Sequence, residues 1–294
     1  MQAGMFYAAT AYILWGIFPL YFKALHEIPP VDIVMHRMIW SFLFLLAVLA
    51  VRKQWAWVGP LLRQPRVIGG FAFSALLLAA NWLTYIWAVN NDHIVDASLG
   101  YFISPLVSVA LGYVFLRERP GLMQWLSILL AAAGVMWLTW HTGRFPWVAL
   151  TLAASFGGYG LLRKTASLGA LHGLVLETAL VLPLSLAYLA VTTVQGHNSF
   201  IEASTSSQWL LAAAGPITSI PLLLFAAGAR RIPLSLVGLL QYITPTLQLL
   251  LGVWLYNEPL DGAKLTGFIV IWSALALYSA DGLWRTWKRG TVAG

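Results

Sequence analysis

The chain has 294 residues, of which 60% are hydrophobic and only 9% are charged, against about 45–50% and about 25% in an average soluble domain. So few charges cannot cover the surface of a soluble globule, and the composition predicts a protein whose solvent is the lipid bilayer. No cysteine occurs, which excludes disulfides and thiolate chemistry, and the net charge of +7 is spread between apolar runs, which predicts membrane orientation and no nucleic-acid partner.

Ten stretches are long and apolar enough to be membrane helices, each of which needs ~20 mostly apolar residues. In chain order they are about 4–22, 33–51, 67–89, 94–116, 121–141, 146–162, 171–194, 208–229, 234–256 and 263–284. The first lacks a basic leader and a small-residue cleavage signature, so we interpret it as a membrane helix and not as a signal peptide. The second, which contains His36 and Arg37, and the short, glycine-rich sixth fit the pattern least well.

Basic residues collect on alternate connections of this predicted all-α bundle. One face, which includes the C-terminus, carries 13 of the 17 Lys and Arg residues, whereas the other carries Lys23, Arg144 and Lys264. The positive-inside rule therefore predicts that both termini are cytoplasmic. One missed or added helix would place the basic residues on both faces, so the observed bias also supports ten spans.

Two segments, 98–118 and 238–258, are similar at an offset of 140 residues, with six of 21 positions identical. They fall in the fourth and ninth spans, so the second copy would be inverted in the membrane. The first copy ends in a glutamate between two arginines and the second in a glutamate without them, as expected for opposite sides. We interpret the chain as two inverted five-helix repeats, 1–141 and 142–294, a layout that many secondary transporters use for alternating access.

Pro105 and Pro245 are equivalent in the two segments and are predicted to lie inside helices, where proline removes a backbone hydrogen bond. We interpret them as pivots of two helices that alternately close the two ends of a central path. The alternative is a static kink that only shapes packing. Glu118 and Glu258, at the ends of the same segments, are predicted to cap the helix that follows each of them.

Three ionisable residues, His36, Arg37 and Glu177, are placed inside predicted spans. Charges at such depth usually face the bundle interior and often mark substrate or ion paths. His36 or Glu177 could bind a proton, and Arg37 could hold a carboxylate. The alternative is that these residues make structural salt bridges or reach toward the interface.

Polar and aromatic side chains of several spans are predicted to line a substrate cavity, because such pockets are apolar with a few hydrogen-bonding groups. The predicted residues are Trp15, Asn81, Trp82, Tyr85, Tyr101, Ser104, Tyr159, Gln241, Tyr242 and Thr244. Asn81 and Gln241 are the strongest candidates, because an amide in the middle of a span needs a partner. The alternative is that the aromatic residues, among 15 tryptophans in the chain, are interfacial anchors.

Motifs for catalysis are absent from the sequence: it has no HExxH, P-loop, dinucleotide fingerprint or Gly-x-Ser-x-Gly elbow. We therefore expect no enzyme activity, no cofactor and no metal site, and the missing P-loop argues against ATP-driven transport. A passive channel remains an alternative to a carrier. The expected partners are a small-molecule substrate and the lipid bilayer, with a monomer as the default state.

Several motifs together resemble a known family. "AYILWGIFPLYFKAL", "HRMIWSF", "NWLTYIWAVNNDHIVDASLGYFISPLVSVALG", "QWLSILLAAAGV" and "LQYITPTLQLLLGV" are similar to the RarD branch of the EamA family, in the drug/metabolite transporter superfamily. The resemblance implies a bacterial inner-membrane secondary transporter with two five-helix halves around a central cavity. Related EamA proteins move amino acids and similar metabolites, often outward, and the branch carries a chloramphenicol-sensitivity label without a defined substrate.

Overall fold

The computed structural model describes residues 2–90, 94–142, 147–255 and 262–291. Within these ranges every regular element is an α-helix, and there are fourteen of them. They are α1 (Gln2–Gly16), α2 (Phe18–Lys23), α3 (Pro30–Arg52), α4 (Val58–Leu62), α5 (Pro65–Asn90), α6 (Ile94–Phe115), α7 (Leu122–Thr142), α8 (Trp147–Thr165), α9 (Ala170–Val194), α10 (Ser199–Glu202), α11 (Thr205–Ala229), α12 (Leu234–Leu240), α13 (Ile243–Leu255) and α14 (Gly262–Thr291).

Seven helical stretches of the described chain are long and apolar enough to cross a membrane: Gln2–Lys23, Pro30–Arg52, Pro65–Tyr85, Leu122–Trp140, Ala170–Val194, Thr205–Ala229 and Leu234–Leu255. Two shorter apolar helices, Gly100–Phe115 and Leu265–Tyr278, accompany them. The protein is therefore a multi-pass, all-α membrane protein. Each of the ten stretches chosen from the sequence lies on one helix or on two consecutive helices, with α8 carrying the glycine-rich sixth.

Two of the ten stretches are interrupted. The first is divided at Ile17, two residues before Pro19, and the ninth is divided at Gln241 and Tyr242. The expectation that both repeat prolines lie inside helices is correct for Pro105 in α6 and wrong for Pro245, which is in the first turn of α13. Inside a helix, a proline ring clashes with the carbonyl four residues earlier. For Pro245 this is the carbonyl of Gln241, which accepts a turn hydrogen bond from Thr244 N at 3.1 Å.

The long helices pack in a pattern that joins the two halves of the chain. α3 contacts α9, α6 contacts α12, and α7 contacts α14. In addition α1 contacts α11, and α5 contacts α8. Each of these pairs takes one helix from residues 1–141 and one from residues 142–294, so neither half forms its core alone.

One end of the bundle carries the connection from α11 to α12 and is closely packed. A large apolar core there includes Ala8, Leu49, Tyr159 and Phe225. Gly228 faces the α1 backbone so closely that a Cβ would lie 2.9 Å from the Ala8 nitrogen. This end is therefore filled, and the open space of the molecule lies toward the opposite end.

Candidate functional site

A cavity of about 510 Å³ opens among α1, α2, α3, α5, α6, α8, α11 and α13 and extends to the connection between α2 and α3. Its volume lies within the range of about 300–1,000 Å³ that is typical of small-molecule sites. Eight of the ten residues predicted to line a cavity border this one: Trp15, Asn81, Trp82, Tyr85, Tyr101, Ser104, Gln241 and Thr244. Both halves of the chain therefore contribute to its wall.

Tyr159 and Tyr242, the other two predicted cavity residues, are fully buried away from it. The Tyr159 hydroxyl donates to a carboxylate oxygen of Glu177 at 3.4 Å, and its ring stacks on Phe225 at 5.9 Å. The Tyr242 hydroxyl donates to the Phe102 carbonyl at 3.1 Å and joins α6 to the break before α13. Packing within the helix bundle, which the sequence does not reveal, turns both hydroxyls toward partners outside the cavity.

A group of five aromatic rings closes the cavity floor. Phe225 is its centre, with ring centroids 6.1, 5.7, 5.3 and 5.9 Å from those of Tyr12, Trp15, Phe156 and Tyr159. Tyr12, Trp15 and Phe156 also border the cavity, whereas Phe225 and Tyr159 lie beneath it. We call these five residues the aromatic floor.

Several polar residues of the wall are already used between helices. Asn81 Nδ2 donates to the Leu152 carbonyl at 2.9 Å and to Ser155 Oγ at 3.0 Å. Thr244 Oγ1 donates to the Tyr12 carbonyl at 2.9 Å. In contrast, Gln241 Oε1 and the Tyr12 hydroxyl are buried without a hydrogen-bond partner in the described chain. An unpaired buried oxygen costs about 1–3 kcal/mol, so each of these two atoms lacks a partner that would offset its burial.

Of the three ionisable residues predicted to form a proton or carboxylate site, Arg37 borders the cavity. It is 8% exposed, and its Nε donates to Thr218 Oγ1 at 2.9 Å. The guanidinium carbon lies 4.9 Å from the Trp82 ring centre and 5.6 Å from that of Phe22. Arg37 is therefore a cation held in place by α11 and by aromatic faces.

His36 and Glu177 lie outside the cavity wall. His36 stacks on Phe200 with the ring centroids 5.2 Å apart. Glu177 accepts from Ser74 Oγ at 2.5 Å and forms an ion pair with Arg163 at 3.5 Å. The three predicted residues are thus in three different environments, and of the three only Arg37 borders the cavity.

Glu118 caps a helix far along the chain. Its carboxylate accepts from Leu234 N at 2.6 Å, from Ser235 N at 3.0 Å and from Ser235 Oγ at 2.8 Å, at the start of α12. The expectation that it caps the helix that follows it, α7, is therefore wrong. There Gln124 performs that role, because its Oε1 accepts from Gly121 N at 2.9 Å. Glu258 lies outside the described residues.

Known proteins resemble this chain over nearly its whole length. The EamA-like transporter family matches residues 2–140. A protein named RarD from Escherichia coli is 43% identical over 283 residues, 96% of each chain. An uncharacterized transporter of Bacillus subtilis is 44% identical over 294 residues, 99% of this chain and 97% of the other. The protein belongs to the RarD branch of the EamA-like transporter family.

The same branch includes a chloramphenicol-sensitive protein RarD of Pseudomonas aeruginosa, 31% identical over 284 residues, 95% of this chain and 94% of the other. One crystal structure of a protein has a similar fold, with a TM-score of 0.70 and 20% identity, covering 93% of this chain and 96% of that chain. At that identity the likeness concerns the fold alone.

Sequence reasoning did not single out three residues of this RarD-branch protein: two of the aromatic floor and one buried arginine. Phe156 and Phe225 form the aromatic floor with three other rings, yet each reads as an ordinary apolar residue in its span. Arg163 reads as a basic residue of a connection, yet it is 1% exposed. A signal for Arg163 was present in Glu177, because a carboxylate inside a span requires a cation nearby.

Proposed function

We propose that this protein is a secondary transporter, an exporter or exchanger of small metabolites, with amino acids and drug-like compounds as the first solutes to test. The observation that carries the proposal is a cavity of about 510 Å³ walled by both halves of the chain and closed at one end by the aromatic floor. A path open at one end and closed at the other is what alternating access requires. The transporter needs no cofactor and works as a monomer in the bilayer.

The proposed architecture is two inverted five-helix repeats, 1–141 and 142–294, in ten transmembrane spans. The packing supports it, because exchange of the two halves converts the contact of α1 with α11 into that of α8 with α5. The same exchange converts the pairs α3 with α9, α6 with α12 and α7 with α14 into themselves. Such reciprocal contacts are expected of a pseudo-two-fold axis in the membrane plane.

The proposed location is the bacterial inner membrane, with both termini in the cytoplasm. Arg163, Lys164, Arg230 and Arg231 support this orientation, since all four lie at the filled end of the bundle where the positive-inside rule predicts the cytoplasm. The cavity then opens outward, and the described conformation is the outward-facing one.

The proposed movement is a rocking of α6 against α12 and α13, with Pro105 and the chain break before Pro245 as the pivots. α6 and α12 touch through backbone at this point: a Cβ on Gly238 would lie 2.6 Å from the Pro105 carbonyl oxygen and 2.9 Å from Ser108 Cβ. Such proximity lets the two helices slide on each other with little side-chain interference.

Gly238→Ala is expected to slow solute exchange about tenfold or more, because overpacking at a tight contact costs about 1–3 kcal/mol and shifts the two helices apart. The measurement is the initial exchange rate in proteoliposomes, with the thermal unfolding midpoint as a check on folding. Gly70→Ala on α5 is the matched control, since a Cβ there would have no neighbour within 4 Å. An unchanged exchange rate for Gly238→Ala would show that this contact takes no part in the proposed movement.

The transport proposal is tested by accelerated exchange. Proteoliposomes are preloaded with an unlabelled mixture of amino acids and aromatic carboxylic acids, and labelled solutes are supplied outside without an ion gradient. A carrier gives label entry that saturates and is faster than into unloaded vesicles. Entry that neither saturates at millimolar solute nor responds to preloading would identify a passive channel instead.

A further inference from the structure

Among the described residues that border the central cavity, Arg37 alone carries a permanent charge. His26 lies at the mouth, and the remaining described wall is aromatic, aliphatic or uncharged polar. The described wall therefore has one cation and no carboxylate. Inside a low-dielectric membrane protein, a single uncompensated charge sets the sign of the local potential.

The Arg37 guanidinium has one side-chain hydrogen bond in the described chain, from Nε to Thr218 Oγ1 at 2.9 Å. No ion pair to it occurs among the described residues. Its flanking rings, Trp82 and Phe22, lie within 5.6 Å of the guanidinium carbon and offer no anionic group. A cation that is more than nine-tenths buried and lacks a counter-charge is costly, and a carboxylate from a solute would offset that cost through charge-assisted hydrogen bonds.

The buried carboxylates of α3 and α9 are engaged elsewhere. Asp32, on the same helix as Arg37, accepts from the Tyr188 hydroxyl at 2.7 Å and from Ser199 Oγ. Glu177 is paired with Arg163. Neither borders the cavity, so neither neutralises Arg37 or receives the ammonium group of a bound solute.

We propose that the cavity binds net-anionic solutes, namely carboxylates that carry a planar apolar group, in preference to zwitterions, amides and cations. This inference rests on the proposed function, in which the cavity is the substrate site. Arg37 receives the carboxylate, and the apolar group packs on the aromatic wall that includes Trp15 and Phe156. An α-ammonium group would sit beside the guanidinium and be repelled by it.

Four compounds of one shape test the charge preference by equilibrium binding to the purified full-length protein in detergent, measured by calorimetry. They are 3-phenylpropanoate (anion), phenylalanine (zwitterion), 3-phenylpropanamide (neutral) and 3-phenylpropylamine (cation). We expect 3-phenylpropanoate to bind about tenfold or more tightly than each of the others, which corresponds to one charge-assisted hydrogen-bonded pair. Equal or tighter binding of phenylalanine or of the amide would overturn the proposal.

Variants of Arg37 test whether this residue causes the preference for the anion. Arg37→Gln is expected to abolish the difference between 3-phenylpropanoate and its amide, and Arg37→Lys, which keeps the charge without the planar fork, to retain part of it. Thr218→Val is the matched control, because it removes the Nε partner and leaves the charge. It is expected to keep the anion preference. An anion preference that survives in Arg37→Gln would overturn the assignment, and Arg37→Lys supplies the test if the glutamine variant does not fold.

Failure of this inference is separable from failure of the transport proposal. Saturable, accelerated exchange of zwitterionic or neutral solutes with no preference for the anion would support the transport proposal and overturn the proposed charge selectivity. Tight, Arg37-dependent binding of 3-phenylpropanoate without accelerated exchange would keep the anion site and overturn the transporter.

Discussion

Replacing Arg163 by methionine is expected to lower the free energy of unfolding by about 3–5 kcal/mol, the usual effect of removing one partner of a buried ion pair. Arg163 and Glu177 are 1% and 2% exposed, and their side chains meet at 3.5 Å. Without the guanidinium, the Glu177 carboxylate would keep hydrogen bonds from Ser74 and Tyr159 but would lose its counter-charge.

Arg163 also holds α9 directly. Its Nη2 donates to the Ala170 carbonyl at 2.8 Å, and its guanidinium carbon lies 5.6 Å from the Phe71 ring centre. The helix backbone passes so close that a Cβ on Gly173 would lie 2.1 Å from Arg163 Nη1. The arginine therefore joins α5, α8 and α9 at a place where α9 has no room for a side chain at position 173.

The measurements are the thermal unfolding midpoint in detergent and the rate at which a protease cleaves the purified protein. Arg66→Met is the matched control, because Arg66 is an exposed basic residue on α5, and it should leave the midpoint unchanged. The double variant Arg163→Met with Glu177→Leu is expected to be more stable than Arg163→Met alone, since it removes the unpaired charge. A double variant that is less stable than the single one would show that hydrogen bonding and packing, and not charge, carry the effect.

The hydropathy and length of the apolar runs predicted the helices, because a membrane span needs a continuous apolar run. Each predicted run lies on one helix or on two consecutive helices. The cavity wall was predictable in large part for a related reason: polar and aromatic residues such as Asn81 and Gln241 inside apolar runs must face the protein interior. That argument cannot separate a cavity from a core, which is why Tyr159 and Tyr242 were assigned to the wall.

Contacts between distant parts of the chain were not predictable from local pattern. Glu118 is 116 residues from Leu234, the first residue of the helix it caps, and a carboxylate at the end of a helix is expected to cap the next helix. The break before Pro245 shows the same limit, since the equivalent Pro105 lies inside a continuous helix. Identical residues at repeat positions thus have different local structures because their neighbours in the bundle differ.

Glu118→Ala is expected to open the filled end of the bundle, the proposed cytoplasmic side. The carboxylate accepts three hydrogen bonds from the first turn of α12 and lies at the positive end of that helix. Loss of a helix cap costs about 0.5–2 kcal/mol, and 1.4 kcal/mol changes a two-state ratio about tenfold. Because Glu118 belongs to one half of the chain and α12 to the other, that loss favours the state in which the halves separate at this end.

The chain contains no cysteine, so a single introduced thiol reports access without a background. Ser104 borders the cavity and is 3% exposed, and Ser104→Cys changes its size little. In vesicles of known orientation, a membrane-impermeant maleimide added on the cytoplasmic side should label this thiol about tenfold faster when Glu118→Ala is present. Glu202→Ala, which removes an exposed glutamate at the other end of the bundle, should not change the rate.

Gly112 provides a test that leaves Glu118 itself unaltered. A Cβ at Gly112 would lie 2.8 Å from Glu118 Oε2 and 3.3 Å from Leu234 Cβ, within the contact between the two halves. Gly112→Ala should therefore displace the carboxylate from α12 and raise cytoplasmic labelling in the same direction. Ser235→Ala, which removes one of the three hydrogen bonds, should have a smaller effect. If Glu118→Ala and Gly112→Ala both leave the labelling rate unchanged, the cap is a fixed structural contact, and the halves must separate elsewhere.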